Sequence, residues 1–399
     1  MINNIQHSEK NNFSPLNYFI VGSSILLSKS LYYETYGDNL LLFPFLFVLF
    51  VFGMMRNVKI DLWLIIFFAA FLLLALLNQE SNFSSVGLLA LRSSLVILII
   101  SIIPFKIFSL IFLDIIKVIC FFSLFGVLFY ELSFKSFLPY LISIDGRVMD
   151  NFLLFAVDFL NSETVGFRNN GLWWEPGAFQ LFINIAFLFQ IITGVRNLKL
   201  VILFALTIFS TASTAGIVCF LALLFIYLKS QNHVSKNKLN IFYGSIVFII
   251  FYIYFGNSVI SKVITSSDES FSFVSRFTDF QISIALFLEN PVIGYGYANQ
   301  DFYNTPTAQR IIDSQILPVK PTGADGITMH VAQLGLLGLP FLLPLINPGF
   351  IKDFNLFDKL LISGVLLILF NTQNFNFILI FNLLMGYGFV QRRKRFKIT

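Results

Sequence analysis

The chain reads as an all-α polytopic membrane protein of about 12 transmembrane helices with two long loops on its outer face. Three observations predict this: the apolar fraction, the length of the uninterrupted apolar runs, and the side on which basic residues collect. Hydrophobic residues make up 57% of the 399 and charged ones only 12%, with 52 Phe, and the mean hydropathy is +0.82. That is more apolar surface than a soluble core of this length hides. Runs such as LLLFPFLFVLFVFGMM are continuous, not alternating, so they are helices and not barrel strands.

In chain order the expected spans are 16–33, 40–55, 60–77, 86–103, 107–130, 177–195, 199–211, 215–229, 240–256, 331–349, 356–371 and 375–390, within one integral membrane domain covering 1–399. The seventh and eighth are short and meet at STAG. Keeping them separate puts Lys10, Arg56, Lys59, Lys106, Arg196, Lys199, Lys229, Lys236, Lys238, Lys352, Lys359 and the terminal run QRRKRFK on one side, together with both termini. The positive-inside rule makes that side cytoplasmic. Short loops on the other side, YETYGDN and NQESN, carry carboxylates and no Lys or Arg. The basic tail is thus a topology anchor, and no nucleic acid is expected as a partner. No removable signal peptide is expected. Cys120 and Cys219 fall in apolar runs and read as buried small side chains.

Two segments are too long to be turns: 131–176, and 257–330 with an amphipathic helix. Both are expected to be ordered and partly helical. Each carries one arginine beside a membrane-entry motif. Arg168 lies nine residues before the 177–195 span, and Arg276 lies in FSFVSRFTDFQISIALFLENP, with Phe277, Phe280, Ile284 and Leu288 on one face. A guanidinium is a planar fork of donors that matches phosphate oxygens two at a time and keeps its charge. Arg168 and Arg276 are therefore candidate ligands of a lipid-linked diphosphate, although each alone also reads as a headgroup contact.

Proline disfavours helical backbone in the residue before it and suits the first helical position, which puts Glu175 at the N-cap of the sixth span. Its carboxylate is either a cap facing the helix dipole or a general base reaching a sugar hydroxyl. Trp173 and Trp174 are either interface tryptophans or stacking surfaces for a sugar ring.

ENPVIGYG lacks the strand and the third glycine of a nucleotide fingerprint and reads as a tight turn held by Tyr295 and Tyr297, Tyr295 being a further candidate sugar contact. His330 opens the tenth span at its outer edge, either as an acceptor contact or as a packed residue. No histidine pair sits at metal spacing, and no cofactor is expected. Arg92 should face the bundle interior, while Lys29 and Lys117 should snorkel or pair.

With these motifs in place, the chain resembles the O-antigen polymerase and ligase superfamily, Wzy-type polymerases in particular. The resemblance is carried by RNNG (168–171) running into WEPGA (174–178), STASTAG (210–216), SRFTD (275–279), ENPVIGYG (289–296) and LGLLG (334–338). It implies a C-type glycosyltransferase-like membrane fold in a bacterial inner membrane, which makes the loops 131–176 and 257–330 periplasmic. It also implies an undecaprenyl-diphosphate-linked oligosaccharide as substrate, with membrane lipids and a chain-length regulator as candidate partners. The activity implied is transfer of a growing glycan onto a lipid-linked repeat unit, with Arg168 and Arg276 recognising the diphosphate. Glu175, then Asp279, is the candidate base. The alternatives are an O-antigen ligase and a transporter or flippase of lipid-linked glycan. His330 lies only five residues before Gly335 and is followed by Val331, not Asn, which departs from the ligase pattern.

Overall fold

The computed structural model describes residues 14–28, 30–31, 38–55, 58–78, 81–131, 140–142, 148–152, 155–158, 168–173, 175–230, 268–299, 301–315, 326–371 and 378–396. Short polar residues set where its helices begin. Ser14 Oγ accepts from Asn17 N (3.3 Å) to open α1 (Pro15–Leu26). After α2 (Asp38–Met55), Asp61 accepts from Trp63 N (3.0 Å) to start α3 (Leu62–Leu77). Asn82 accepts from Ser84 N (3.0 Å) to start α4 (Phe83–Ile102), and Pro104 separates it from α5 (Phe105–Glu131). These caps satisfy backbone N–H groups that a helix start leaves unpaired.

Three helices follow: α6 (Pro176–Thr193), α7 (Leu198–Ser210) and α8 (Thr214–Ser230). The remaining elements are α9 (Asp268–Glu289), α10 (Pro306–Asp313), α11 (Gly326–Ile346), α12 (Leu356–Asn371) and α13 (Leu379–Phe396). Every expected span but one overlaps a helix; 240–256 lies outside the described residues, as do 29, 32–33 and 375–377. Among the described residues, Phe83–Ile102, Phe105–Phe129, Pro176–Thr193 and Gly326–Ile351 are long and apolar enough to cross a membrane, and α1, α3, α7 and α8 are shorter apolar helices.

One expectation is corrected. The 131–176 loop, expected to be partly helical, holds an antiparallel sheet of β1 (Tyr140–Ile142), β2 (Val148–Phe152) and β3 (Phe155–Asp158) in that order. Pairing of Phe152 with Phe155 closes the second hairpin. Runs of three to five residues rich in β-branched and aromatic side chains are too short to nucleate helices and suit hairpin strands.

The core centres on α6, which is buried from Ala178 to Ile191. A helix apolar on all sides is one surrounded by others. Phe182 stacks on Phe112 (6.3 Å), Phe189 packs on Phe105, Phe108 and Phe112, and Phe187 stacks on Phe220 (4.9 Å). Intramembrane charge follows the expected economy. Arg92 is 1% exposed, and Lys117 pairs with Asp114 at 2.8 Å; Lys29 lies outside the described residues. Arg393 forks onto both oxygens of Asp61 (2.6 and 2.5 Å), tying the end of α13 to the start of α3.

Candidate functional site

RNNG (168–171) and STASTAG (210–216), well separated in sequence, are one unit in space. Arg168 Nε donates to Thr211 O (3.2 Å) and Nη2 to Ala212 O (3.4 Å), in a turn where Ala212 has φ 50°. The fully buried Asn169 binds the same turn twice, through its N to Ser210 O (3.0 Å) and its Nδ2 to Ser210 Oγ (2.9 Å); Nδ2 also reaches Ser123 Oγ on α5 (3.2 Å). Gly171, at φ 57°, has no room for a Cβ because the Phe179 ring sits 2.7 Å from where it would lie. The turn is thereby held between α5 and the start of α6.

The STAG turn launches α8 directly alongside α6. Gly216 lies against Gln180, so that a Cβ would fall 2.7 Å from the Gln180 Cβ, and Asn184 Nδ2 donates to Gly216 O (3.1 Å). Further along, Phe187 stacks on Phe220. Both residue numbers rise together through these contacts, so α6 and α8 run parallel and begin at one level, beside Arg168. Two adjacent helix N-termini bring the positive ends of two dipoles to one level.

Glu175 is the N-cap of α6 (φ −131°, ψ 145°), with Pro176 at N1, as expected; its carboxylate makes no capping hydrogen bond. Trp173 is 0% exposed, its Nε1 donates to Ser28 O (3.1 Å), and its ring stacks on Phe179 (5.3 Å) and Phe182 (4.1 Å). It is therefore a packed core side chain, not a surface on which a sugar could stack. An indole with a protein carbonyl for its N–H and two phenyl faces has nothing left to offer solvent. Trp174 lies outside the described residues.

A second unit is built from α9 and α11. The predicted stripe of α9 is exposed: Phe277, Phe280, Ile284 and Leu288 face outward and Arg276 beside them is exposed. Its other face buries Thr278, Asp279, Ile282, Ser283 and Leu286, and Ile282 and Leu286 cluster with Met329 and Ala332 of α11. Asp279, a candidate base on the expected amphipathic helix, is thus a buried carboxylate.

Helix α11 is broken at Gly335 (φ 62°, ψ −161°), and ENPVIGYG fills the break. Tyr295 N and Gly296 N donate to Ala332 O (2.9 Å) and Gln333 O (3.0 Å), while Leu336 N and Leu337 N donate to Pro291 O (2.8 Å) and Val292 O (3.3 Å). Irregular backbone in such a place is tolerated when protein satisfies it. Before the break no described residue of α11 is exposed; after it Leu336, Leu337, Leu339 and Leu343 are. Tyr295 O–H reaches Glu289 Oε2 (2.5 Å), and Thr307 O–H donates to the same carboxylate. These two donors, with a smaller contribution from Arg310, hold the Glu289 carboxyl below its ordinary range.

The turn is anchored from the α3–α4 side by Asn78 Nδ2 to Gly294 O (2.7 Å), Tyr297 N to Ser81 Oγ (2.8 Å) and Asn82 N to Tyr297 O (3.0 Å). Tyr297 is buried, which pushes its phenol up, against the opposing charge of Arg92. Phe71 touches both Tyr297 (6.5 Å) and His330 (5.7 Å). His330 is 1% exposed and neither ring nitrogen has a hydrogen-bond partner. Among the described residues no three His, Cys, Asp or Glu side chains gather as metal ligands.

Sequence reasoning missed Asn169, Asn184 and the break at Gly335. Asn184 carried a signal, as a fully buried amide in an apolar span. No curated protein matches the chain. Residues 200–343, which run from α7 into α11 and include Arg276, Asp279, Tyr295 and His330 but not Arg168 or Glu175, match the O-antigen ligase family model, consistent with the O-antigen polymerase and ligase superfamily.

Proposed function

We propose that the chain is a membrane glycosyltransferase that polymerises lipid-linked oligosaccharide repeat units at the outer face of a bacterial inner membrane, with both termini cytoplasmic. The observation that carries this reading is Arg168 beside the paired starts of α6 and α8. A fixed cation next to two helix N-termini suits a diphosphate. Arg276, exposed on α9, is the second diphosphate ligand.

In the reaction, an acceptor sugar hydroxyl attacks the anomeric carbon of the growing glycan. The bond from that carbon to the undecaprenyl diphosphate oxygen breaks, and the diphosphate leaves with the electron pair. Charge develops on the leaving oxygens, where Arg168 and Arg276 stabilise it. The hydroxyl proton passes to Glu175, whose carboxylate is not engaged in capping its own helix, or to Asp279. Tyr295 contacts the acceptor sugar, while His330 is buried.

Replacing Arg168 or Arg276 by Ala should abolish long glycan chains while leaving protein level and single-repeat product intact. Wild-type chain lengths in both variants would remove the diphosphate assignment. The family match favours one second reading, an O-antigen ligase, whose loss would instead leave finished lipid-linked polymer unattached to its acceptor.

A further inference from the structure

The end of the bundle where α3 starts and α13 finishes gathers cations that the candidate site does not use. Arg393 forks onto Asp61, and that bridge brings Lys59, two residues before Asp61, to the end of α13. From the other side comes the 3₁₀ turn Gly349–Ile351, between α11 and α12. A Cβ on Gly349 would strike Arg392 N, so the turn rests directly on the Arg392 backbone, and Phe350 stacking on Phe105 (4.6 Å) fixes it there. Lys352, the next residue, is carried to Arg392 with it. Lys59 and Lys352 are exposed and Arg392 is half-buried. The carboxylates within two residues of any of them are Asp61 and Asp353, and Asp61 is already taken by Arg393. Apolar side chains flank the cations on both sides: Ile60, Leu62 and Trp63 at the start of α3, and Leu356 and Phe357 at the start of α12, are all exposed. An exposed tryptophan at the end of an apolar helix marks headgroup level.

We propose that Lys59, Lys352 and Arg392 hold the headgroup of an anionic phospholipid with two phosphates, of the diphosphatidylglycerol class; that its leaflet is the cytoplasmic one rests on the topology given above. The basis is charge complementarity. A phosphodiester carries one negative charge, so three cations set against Asp353 match two phosphates better than one. Arg392 supplies a planar fork for phosphate oxygens, and the two lysines supply point charges. The exposed apolar side chains on either side suit acyl chains, which a free phosphate lacks. Such a lipid ties together the start of α3, the turn after α11 and the end of α13, three segments far apart in the chain.

The test is native mass spectrometry of the full-length protein released from nanodiscs of diphosphatidylglycerol, phosphatidylglycerol and phosphatidylcholine in equal parts. Diphosphatidylglycerol is expected to stay bound, and excess inorganic phosphate should not displace it. Each cation near a membrane surface gives about a fivefold gain in affinity for anionic lipid, so Lys59→Gln, Lys352→Gln and Arg392→Gln together should weaken retention about a hundredfold. The control removes charge elsewhere on the same face: Arg196→Gln with Lys199→Gln, both exposed where α6 passes into α7, should leave retention unchanged. A thermal midpoint in lipid-free detergent checks that the triple variant is folded; if it is not, Lys352→Gln alone, at an exposed side chain, should still weaken retention about fivefold. Equal loss in the control, phosphatidylglycerol retained equally well, or displacement by phosphate overturns the proposal. Sidedness is read separately. With Cys120 and Cys219 buried, Lys352→Cys should react with an impermeant maleimide in inside-out vesicles and not in intact cells. The opposite pattern would overturn the topology and the leaflet, whereas lost retention with the expected labelling would overturn the lipid site alone.

Discussion

Gly294 and Gly335 are two halves of one joint. A Cβ on Gly294 would strike the backbone of Gln333, and one on Gly335 would strike the backbone of Val292; both residues have positive φ, 71° and 62°. Between them pass the four backbone hydrogen bonds that seat ENPVIGYG in the break of α11. Neither a flexible side chain nor solvent is present to yield, so the joint admits glycine alone at both positions.

Gly335→Ala and Gly294→Ala should each destabilise the protein by at least the strain of a left-handed non-glycine residue, on the order of 1–3 kcal/mol, with the backbone clash added. Gly364→Ala is the control: it lies inside α12 with nothing within 4 Å of a Cβ, and it should be neutral or stabilising by up to about 1 kcal/mol. Thermal midpoints of the three variants in one detergent decide it. Equal midpoints for all three would mean that the joint does not hold the fold.

Trp173 gives a prediction of a different kind. Because its ring is stacked between Phe179 and Phe182 and its N–H is bound by Ser28 O, Trp173→Ala should cost about 3–5 kcal/mol. Trp173→Phe should cost less but leave a buried carbonyl unpaired, about 1–3 kcal/mol. Folded yield should fall while the choice of sugar among surviving product stays the same. A changed sugar preference with unchanged stability would return Trp173 to a substrate surface.

The helices were legible because the apolar runs are long and the caps are short polar residues at their edges. The stripe of α9 was legible for the same reason: Phe277, Phe280, Ile284 and Leu288 repeat at helical spacing and are exposed together. What stayed hidden depends on backbone paired across distance. Nothing in LGLLG announces that its N–H groups will meet Pro291 and Val292, and nothing in RNNG announces that Arg168 and Asn169 will grip the carbonyls of Ser210, Thr211 and Ala212. Trp173 misled because adjacent tryptophans before a membrane span look alike whether they face lipid or core.

Acid should loosen the outer unit through Glu289. Its carboxyl is held below the ordinary range, so the charged form is the one the fold favours. That contribution is complete above the ordinary carboxylate value, about 4.3, and is lost as pH falls through the lowered folded value. Hydrogen-exchange protection over 301–313, the segment tied to Glu289 by Thr307, taken relative to the intrinsic rate at each pH, should therefore fall as the medium becomes acidic. Glu289→Gln should keep one protection factor across that window. An acid step that persists in the variant would assign the loosening to another group.

Glu175→Gln separates cap from base. An N-cap side chain that bonds its helix costs about 0.5–2 kcal/mol to remove, but the Glu175 carboxylate makes no such bond. Loss of a cap should therefore not contribute to any change in the thermal midpoint. If Glu175 takes the acceptor proton, Gln keeps its size and removes its basicity, and polymer formation should slow by about 10²–10⁴. Chain formation from purified lipid-linked repeat units, followed alongside the melting curve, reads both quantities in one preparation. Asp279→Asn is the counterpart: a fully buried carboxylate should cost stability when changed, whatever its part in the chemistry. A normal rate in Glu175→Gln with a lost rate in a folded Asp279→Asn would move the base from the start of α6 to the inner face of α9.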